Sequence, residues 1–112
     1  MDEQITPILR TADAPAAVAW YARLGFSQDW EHRFGPGFPL FVAISRGAMR
    51  IFLSEHTGDA HPDGLLYLYV DDVDAIAAEF GATAELAYYG MREVEVEDPD
   101  GNRLRIGTPA RG

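Results

Sequence analysis

The stretch Tyr89–Asn102, YGMREVEVEDPDGN, decides the fold of this chain. From Arg92 to Glu97 the residues alternate, so a strand here turns Arg92, Val94 and Val96 to one face and Glu93, Glu95 and Glu97 to the other. DPDGN then closes a hairpin, because Pro99 suits the first central position of a turn and Gly101 accepts backbone angles that a β-carbon resists. Three carboxylates therefore share one face. Such a row is either an ordinary solvated strand surface or one wall of a binding cup, and it suggests a cup more than an active site.

Around this hairpin the chain has 112 residues, enough for one domain with a real core and too few for two ordinary ones. With 47% hydrophobic and 12% aromatic residues it is not a disordered sequence. No stretch approaches the roughly 20 apolar residues of a membrane span. The start, MDEQITPIL, lacks a basic segment followed by an apolar one, so an export signal is not expected and a cytoplasmic location is. There is no cysteine, which excludes disulfides, thiolate metal sites and a cysteine nucleophile. The net charge of −9, from 18 acids against 9 bases, opposes a phosphate backbone, and neither nucleic acid nor a membrane is an expected partner.

Upstream, one pattern occurs twice. Gln4 to Arg10 reads as a strand, Asp13 caps a helix over Ala14 to Leu24 with Pro15 in its first turn, and Gly25 ends it. Leu65 to Val70 is again strand-like, Asp72 is again a cap, and Val73, Ile76, Ala77 and Phe80 recur at helical spacing before Gly81. Trp30 to Phe34, Leu40 to Ser45 and Met49 to Ser54 complete the first half, and Thr83 to Tyr88 predicts an irregular or short strand in the second. The expectation is a single domain over 1–112, with one module at about 1–56, a linker at about 57–64 and a second module at about 65–112. Each module reads as strand, helix and three strands, with helices on one side and the opposite sheet faces left to carry function.

TPILRTAD (Thr6–Asp13), WYARLGF (Trp20–Phe26), MRIFLSE (Met49–Glu55), LYLYVDDVD (Leu66–Asp74) and the closing hairpin block together resemble the vicinal oxygen chelate superfamily of glyoxalases, bleomycin resistance proteins and dioxygenases. The bleomycin-resistance-protein-like branch is the nearest in character. This resemblance implies an α+β fold in which two βαβββ modules form curved sheets around a cleft, in a homodimer with an exchanged or edge-docked N-terminal strand. Pro7 matches the branch's first-strand proline, at a place where the missing N–H suits an edge or crossover. The superfamily's metal positions, counted onto this chain, are Thr6, Phe52, Leu65 and Arg105. Two of these offer no donor atom, Thr6 is a weak neutral ligand and Arg105 repels a cation, so neither metal nor cofactor is expected.

Other chemistries find less support. His56 and His61 stand in or beside the linker without a zinc pattern and read as surface groups. Asp98, Asp100 and Asn102 resemble the start of a calcium loop but lack the later bidentate glutamate. No nucleophile elbow accompanies Ser45 or Ser54, and Gly35-Pro36-Gly37 lacks the lysine and helix start of a phosphate loop.

What remains is a binding face. Leu65, Tyr67 and Tyr69 alternate away from Leu66, Leu68 and Val70, while Trp30, His32 and Phe34 offer a second aromatic row, and Phe52 and Arg105 stand at former metal positions. Aromatic surfaces beside Glu93 and Glu95 suit a flat, cationic ligand, although each ring taken singly could equally be core. The reading is a bleomycin-resistance-like, metal-free protein that sequesters a cationic glycopeptide antibiotic or similar aromatic ligand in a dimer-interface cleft, with binding favoured over catalysis because the superfamily's metal positions are not retained. The alternatives are a glyoxalase-like metal-dependent lyase, transferase or dioxygenase, or a non-catalytic accessory module of the same fold.

Overall fold

The fold was obtained as a computed structural model that describes residues 3–110, so the first two and last two residues of the expected modules lie outside the described residues. In the first half, β1 (Ile8–Arg10) leads into α1 (Ala14–Ala22), followed by β2 (Ser27–His32), β3 (Phe41–Arg46) and β4 (Met49–Ser54). The second half repeats the order with β5 (Leu65–Tyr69), α2 (Val73–Glu79), β6 (Glu85–Leu86), β7 (Met91–Glu97) and β8 (Arg103–Pro109). Each half builds a four-stranded mixed sheet, ordered β1-β4-β3-β2 and β5-β8-β7-β6. This is the expected α+β arrangement of two βαβββ modules. No helix among the described residues is long and apolar enough to cross a membrane.

Both helices begin as their sequences dictate. Asp13 accepts from the Ala16 N–H and Asp72 from the Ala75 N–H, each at 3.2 Å, which satisfies one of the donors that every helix start leaves free. Ala14, Ala17 and Tyr21 on α1, and Val73, Ile76 and Ala77 on α2, bury one stripe of each helix. Opposite them lie Val42, Ile44, Ile51 and Leu53 from the first sheet and Leu68, Val94, Val96, Leu104 and Ile106 from the second, within a single core cluster. Full burial of each such side chain is worth about 1.5 to 3 kcal/mol.

β1 is shorter than its pattern suggests, and β2 begins and ends three and two residues earlier than expected. β1 starts only at Ile8, since Pro7 has no N–H to give a ladder; its carbonyl still accepts from the Phe52 N–H at 2.9 Å. β1 lies at the sheet edge, parallel to β4 of its own module. β2 stops at His32, ahead of the Gly35-Pro36-Gly37 break, so Phe34 lies in a bend beyond the strand. A register shift between Gln28 and Trp30 also bulges Asp29, whose carboxylate accepts from the Ser45 hydroxyl at 2.9 Å.

The DPDGN turn does more than reverse the chain. Asp98 Oδ1 accepts the backbone N–H groups of Asp100 and Asn102, at 2.8 and 2.9 Å, while Oδ2 accepts the Tyr21 hydroxyl of α1 at 2.7 Å. Asn102 donates through Nδ2 to the Arg10 carbonyl at 2.9 Å and accepts from the Gly64 N–H at 2.9 Å. Asp100 takes the Thr11 hydroxyl at 2.7 Å and the Ala12 N–H at 2.8 Å. Asp98 Oδ1 thus holds the turn itself together, while Asp98 Oδ2 and both Asp100 oxygens join the second module's hairpin to α1 and the residues that lead into it. That is why three acidic or amide residues here form a structural clasp and not a calcium loop.

Candidate functional site

Side chains that alternate away from the core form rows across each sheet. In the second sheet, register places Tyr67 beside Arg105 and Glu95, and Tyr69 beside Gly107 and Glu93, with Leu65 beside Arg103 and Glu97. Tyr67 and Tyr69 meet with ring centroids 4.9 Å apart. Tyr67 is 36% and Tyr69 66% exposed, an unusual state for paired rings that have a hydrophobic core on the other side of their own strand.

The acidic stripe lies on this face, yet it is not free charge. Glu95 pairs with Arg105 at 3.2 Å and with Arg103 at 3.7 Å. Glu93 Oε2 accepts the Tyr67 hydroxyl at 2.6 Å. Hydrogen bonding from the Tyr67 and Tyr89 phenols, helped by the charge of Arg105, holds the Glu93 carboxyl below the usual range. Reduced solvation, the bond to Glu93 and the charge of Glu93 together push the Tyr67 phenol well above the usual range. The cross-strand arginines could not be foreseen before the β7–β8 register was known.

In the first sheet, Trp30, Ala43, Phe52 and Ile8 form one row, and His32, Phe41, Ser54 and Arg10 the next. Trp30 stacks on Phe41 at 6.0 Å and 16°, while Phe52 closes the trio at 5.5 Å from Trp30 and 5.1 Å from Phe41. Trp30 remains 44% exposed. Small Ala43 leaves the space between strands over which the larger rings lean. Phe41, which was not singled out in the sequence, shares this face with Ala43 through the regular alternation of β3. Phe34, although off the strand, still meets His32 at 4.8 Å. His56, read as a surface group, is half-buried with its ring 6.1 Å from that of Phe34.

The residues singled out in the sequence thus fall into two groups. Trp30, His32, Phe34 and Phe52 gather on one sheet, and Leu65, Tyr67, Tyr69, Glu93, Glu95 and Arg105 on the other. Where the sheets approach, a hollow of about 340 Å³ is lined by Ile5 and Pro7 of the N-terminal arm, Met49 and Arg50 of β4, and Tyr67 and Tyr69 of β5. Pro7 is therefore part of the seam between modules.

A glyoxalase-type metal does not fit the four counted positions. Phe52 is engaged in the aromatic trio, Leu65 has no donor, and Arg105 brings a fixed positive charge already paired with Glu95. Thr6 alone could not hold an ion. Among the described residues no group of three or more His, Asp or Glu side chains is placed to do so elsewhere.

The sequence model of the family described as "Glyoxalase superfamily protein" matches residues 1–112. The chain belongs to the glyoxalase superfamily. Among solved structures, this superfamily member is similar to a bleomycin-binding protein complexed with bleomycin, with a TM-score of 0.74 and 22% identity over 96% of this chain and 98% of that one. A bleomycin resistance determinant encoded on transposon Tn5 gives a TM-score of 0.76 and 22% identity, with the same coverage. A glyoxylase/bleomycin resistance protein/dioxygenase domain from Frankia sp. EAN1pec gives 0.76 at 16% identity, over 100% of this chain and 95% of that one. No curated protein matches the sequence. At these identities the structural likeness speaks for the fold.

Proposed function

We propose that this glyoxalase-superfamily chain is a metal-free binding protein that sequesters a small aromatic ligand of the cationic glycopeptide class, in a cleft completed by a second copy of the chain. One observation carries the reading: two clusters of packed rings, Trp30-Phe41-Phe52 and Tyr67-Tyr69, stand on the sheet faces turned from the core and remain partly open to solvent. Exposed rings at fixed spacing stack flat ligands with little loss of side-chain freedom. Phe52, Leu65 and Arg105 lack the donor chemistry of a catalytic metal site, which favours holding a ligand over transforming it. The fold shared with a bleomycin-complexed protein supports the same class.

Ile8 on β1 and Leu65 and Tyr69 on β5 are exposed, each strand at an edge of its sheet, where a second copy would cover them. In that arrangement the arm around Pro7 docks at, or exchanges across, the subunit boundary. The test is calorimetric titration of dialysed protein with metal-free and with copper-loaded bleomycin. Saturable binding of one molecule per cleft supports the reading, and the absence of any saturable heat with either form argues against it.

A further inference from the structure

His32, Phe34, Phe41, His56 and Asp59 line a separate, open hollow of about 290 Å³ at the end of the first sheet's aromatic row. The Phe34 ring stands nearly perpendicular to both imidazoles, at 86° to His32 and 82° to His56. Phe34 is 75% exposed, although no apolar neighbour is needed to explain a ring placed at a loop tip. These edge-to-face contacts set aromatic surface at more than one angle around the hollow.

Asp59 supplies the charge. Its Oδ2 accepts the Ser54 hydroxyl at 2.6 Å, and among the described residues no basic side chain forms an ion pair with it. Glu95, by contrast, is matched by two arginines. Asp59, in the turn that follows β4, is thus a carboxylate beside aromatic side chains with no ion-pair partner among the described residues. A metal ion would need more ligands than these residues bring together.

We propose that this hollow receives a methylated, quaternary-type ammonium group of the ligand. N-methyl groups give apolar contact to Phe34 and Phe41, their spread positive charge is attracted to the ring faces, and Asp59 adds a long-range partner without requiring a directed hydrogen bond. A primary ammonium is disfavoured, because it needs several acceptors at close range. The inference rests on the reading of this face as a ligand surface and adds the chemical class of group at one end of it.

Choline is the probe, compared with dimethylbutanol, its neutral isostere with carbon in place of nitrogen, and binding is followed by NMR shifts of the His32, Phe34 and His56 side chains. The expected result is a saturable shift of these three residues by choline, with the isostere weaker by about tenfold. Asp59→Asn should narrow the gap between choline and the isostere severalfold, and Phe34→Ala, at an exposed position, should weaken choline by a similar factor. Equal affinity for choline and isostere, or shifts confined to Tyr67 and Tyr69, would overturn the assignment. If choline fails while bleomycin still binds the wild type, only the ammonium pocket falls; if neither binds, the reading of the whole face falls with it.

Discussion

Tyr67 reaches from β5 across Gly107 of β8 and donates its phenol hydrogen to Glu93 of β7 at 2.6 Å, a contact that spans three strands of the second sheet. Gly107 makes room for it. A β-carbon at that position would collide with the Tyr67 hydroxyl and crowd the Met91 methyl. Gly107→Ala should therefore displace the phenol from Glu93. Tyrosine ring-carbon NMR should then show Tyr67 ionising at lower pH than in the wild type, while an unchanged titration would mean that the ring can rise without leaving Glu93.

The same contact has an acid-side consequence. Glu93 is held below its ordinary carboxyl value of 4.5, first by the Tyr67 hydrogen bond. A lowered folded-state value stabilises the fold above the unfolded value, and the contribution is lost as pH falls through the folded one. Tyr67→Phe should make stability less sensitive to pH below about 4.5, as followed by urea midpoints across that range. Wild-type and variant midpoints that fall in parallel would show that Glu93 contributes nothing there.

Tyr21 and Asp98 join the modules, and both are buried. Tyr21→Phe removes the donor but leaves Asp98 its backbone and Asn102 partners, so a loss of about 1 to 3 kcal/mol is expected from denaturant unfolding. Burial first, then the charge of Asp98 and the hydrogen bond to it, push the Tyr21 phenol far above its ordinary 10.0. A raised folded-state value means that stability is full below the unfolded value and is lost as pH rises beyond it. Wild-type stability should thus decline above about pH 10, and Tyr21→Phe should flatten that decline.

These contacts show what was legible in the sequence. Local signals carried the architecture: Asp13 and Asp72 cap the two helices, and the alternation through Arg92–Glu97 buries Val94 and Val96 while turning the glutamates outward. Long-range pairing was not legible. Tyr21 and Asp98 are 77 positions apart, and nothing near either announces the other. Glu95 looked like free negative charge until the register placed Arg103 and Arg105 within reach. The bulge at Asp29, which shifts Trp30 and His32 relative to β3, was not legible either, and Phe34 was assigned to a strand that glycine and proline end early.

The paired arginines change what removal of the acidic stripe should do. Glu95→Gln leaves two guanidiniums on a half-exposed face, and such surface pairs contribute about 1 kcal/mol or less to stability. The variant should melt close to the wild type but bind a cationic aromatic ligand more slowly, with weaker salt dependence. An association rate that does not change on the folded variant would show that Glu95 plays no part in steering.

Calorimetric titration of metal-free bleomycin into wild-type, Trp30→Ala and Tyr67→Ala proteins, each first shown to keep its cooperative melt, tests the binding account most directly. The account predicts saturable binding to the wild type and a loss of about 1 to 3 kcal/mol in each variant, as stacking and apolar contact are removed from one sheet or the other. Binding to the wild type that is untouched by both substitutions would contradict it, because the ligand would then lie away from both aromatic clusters.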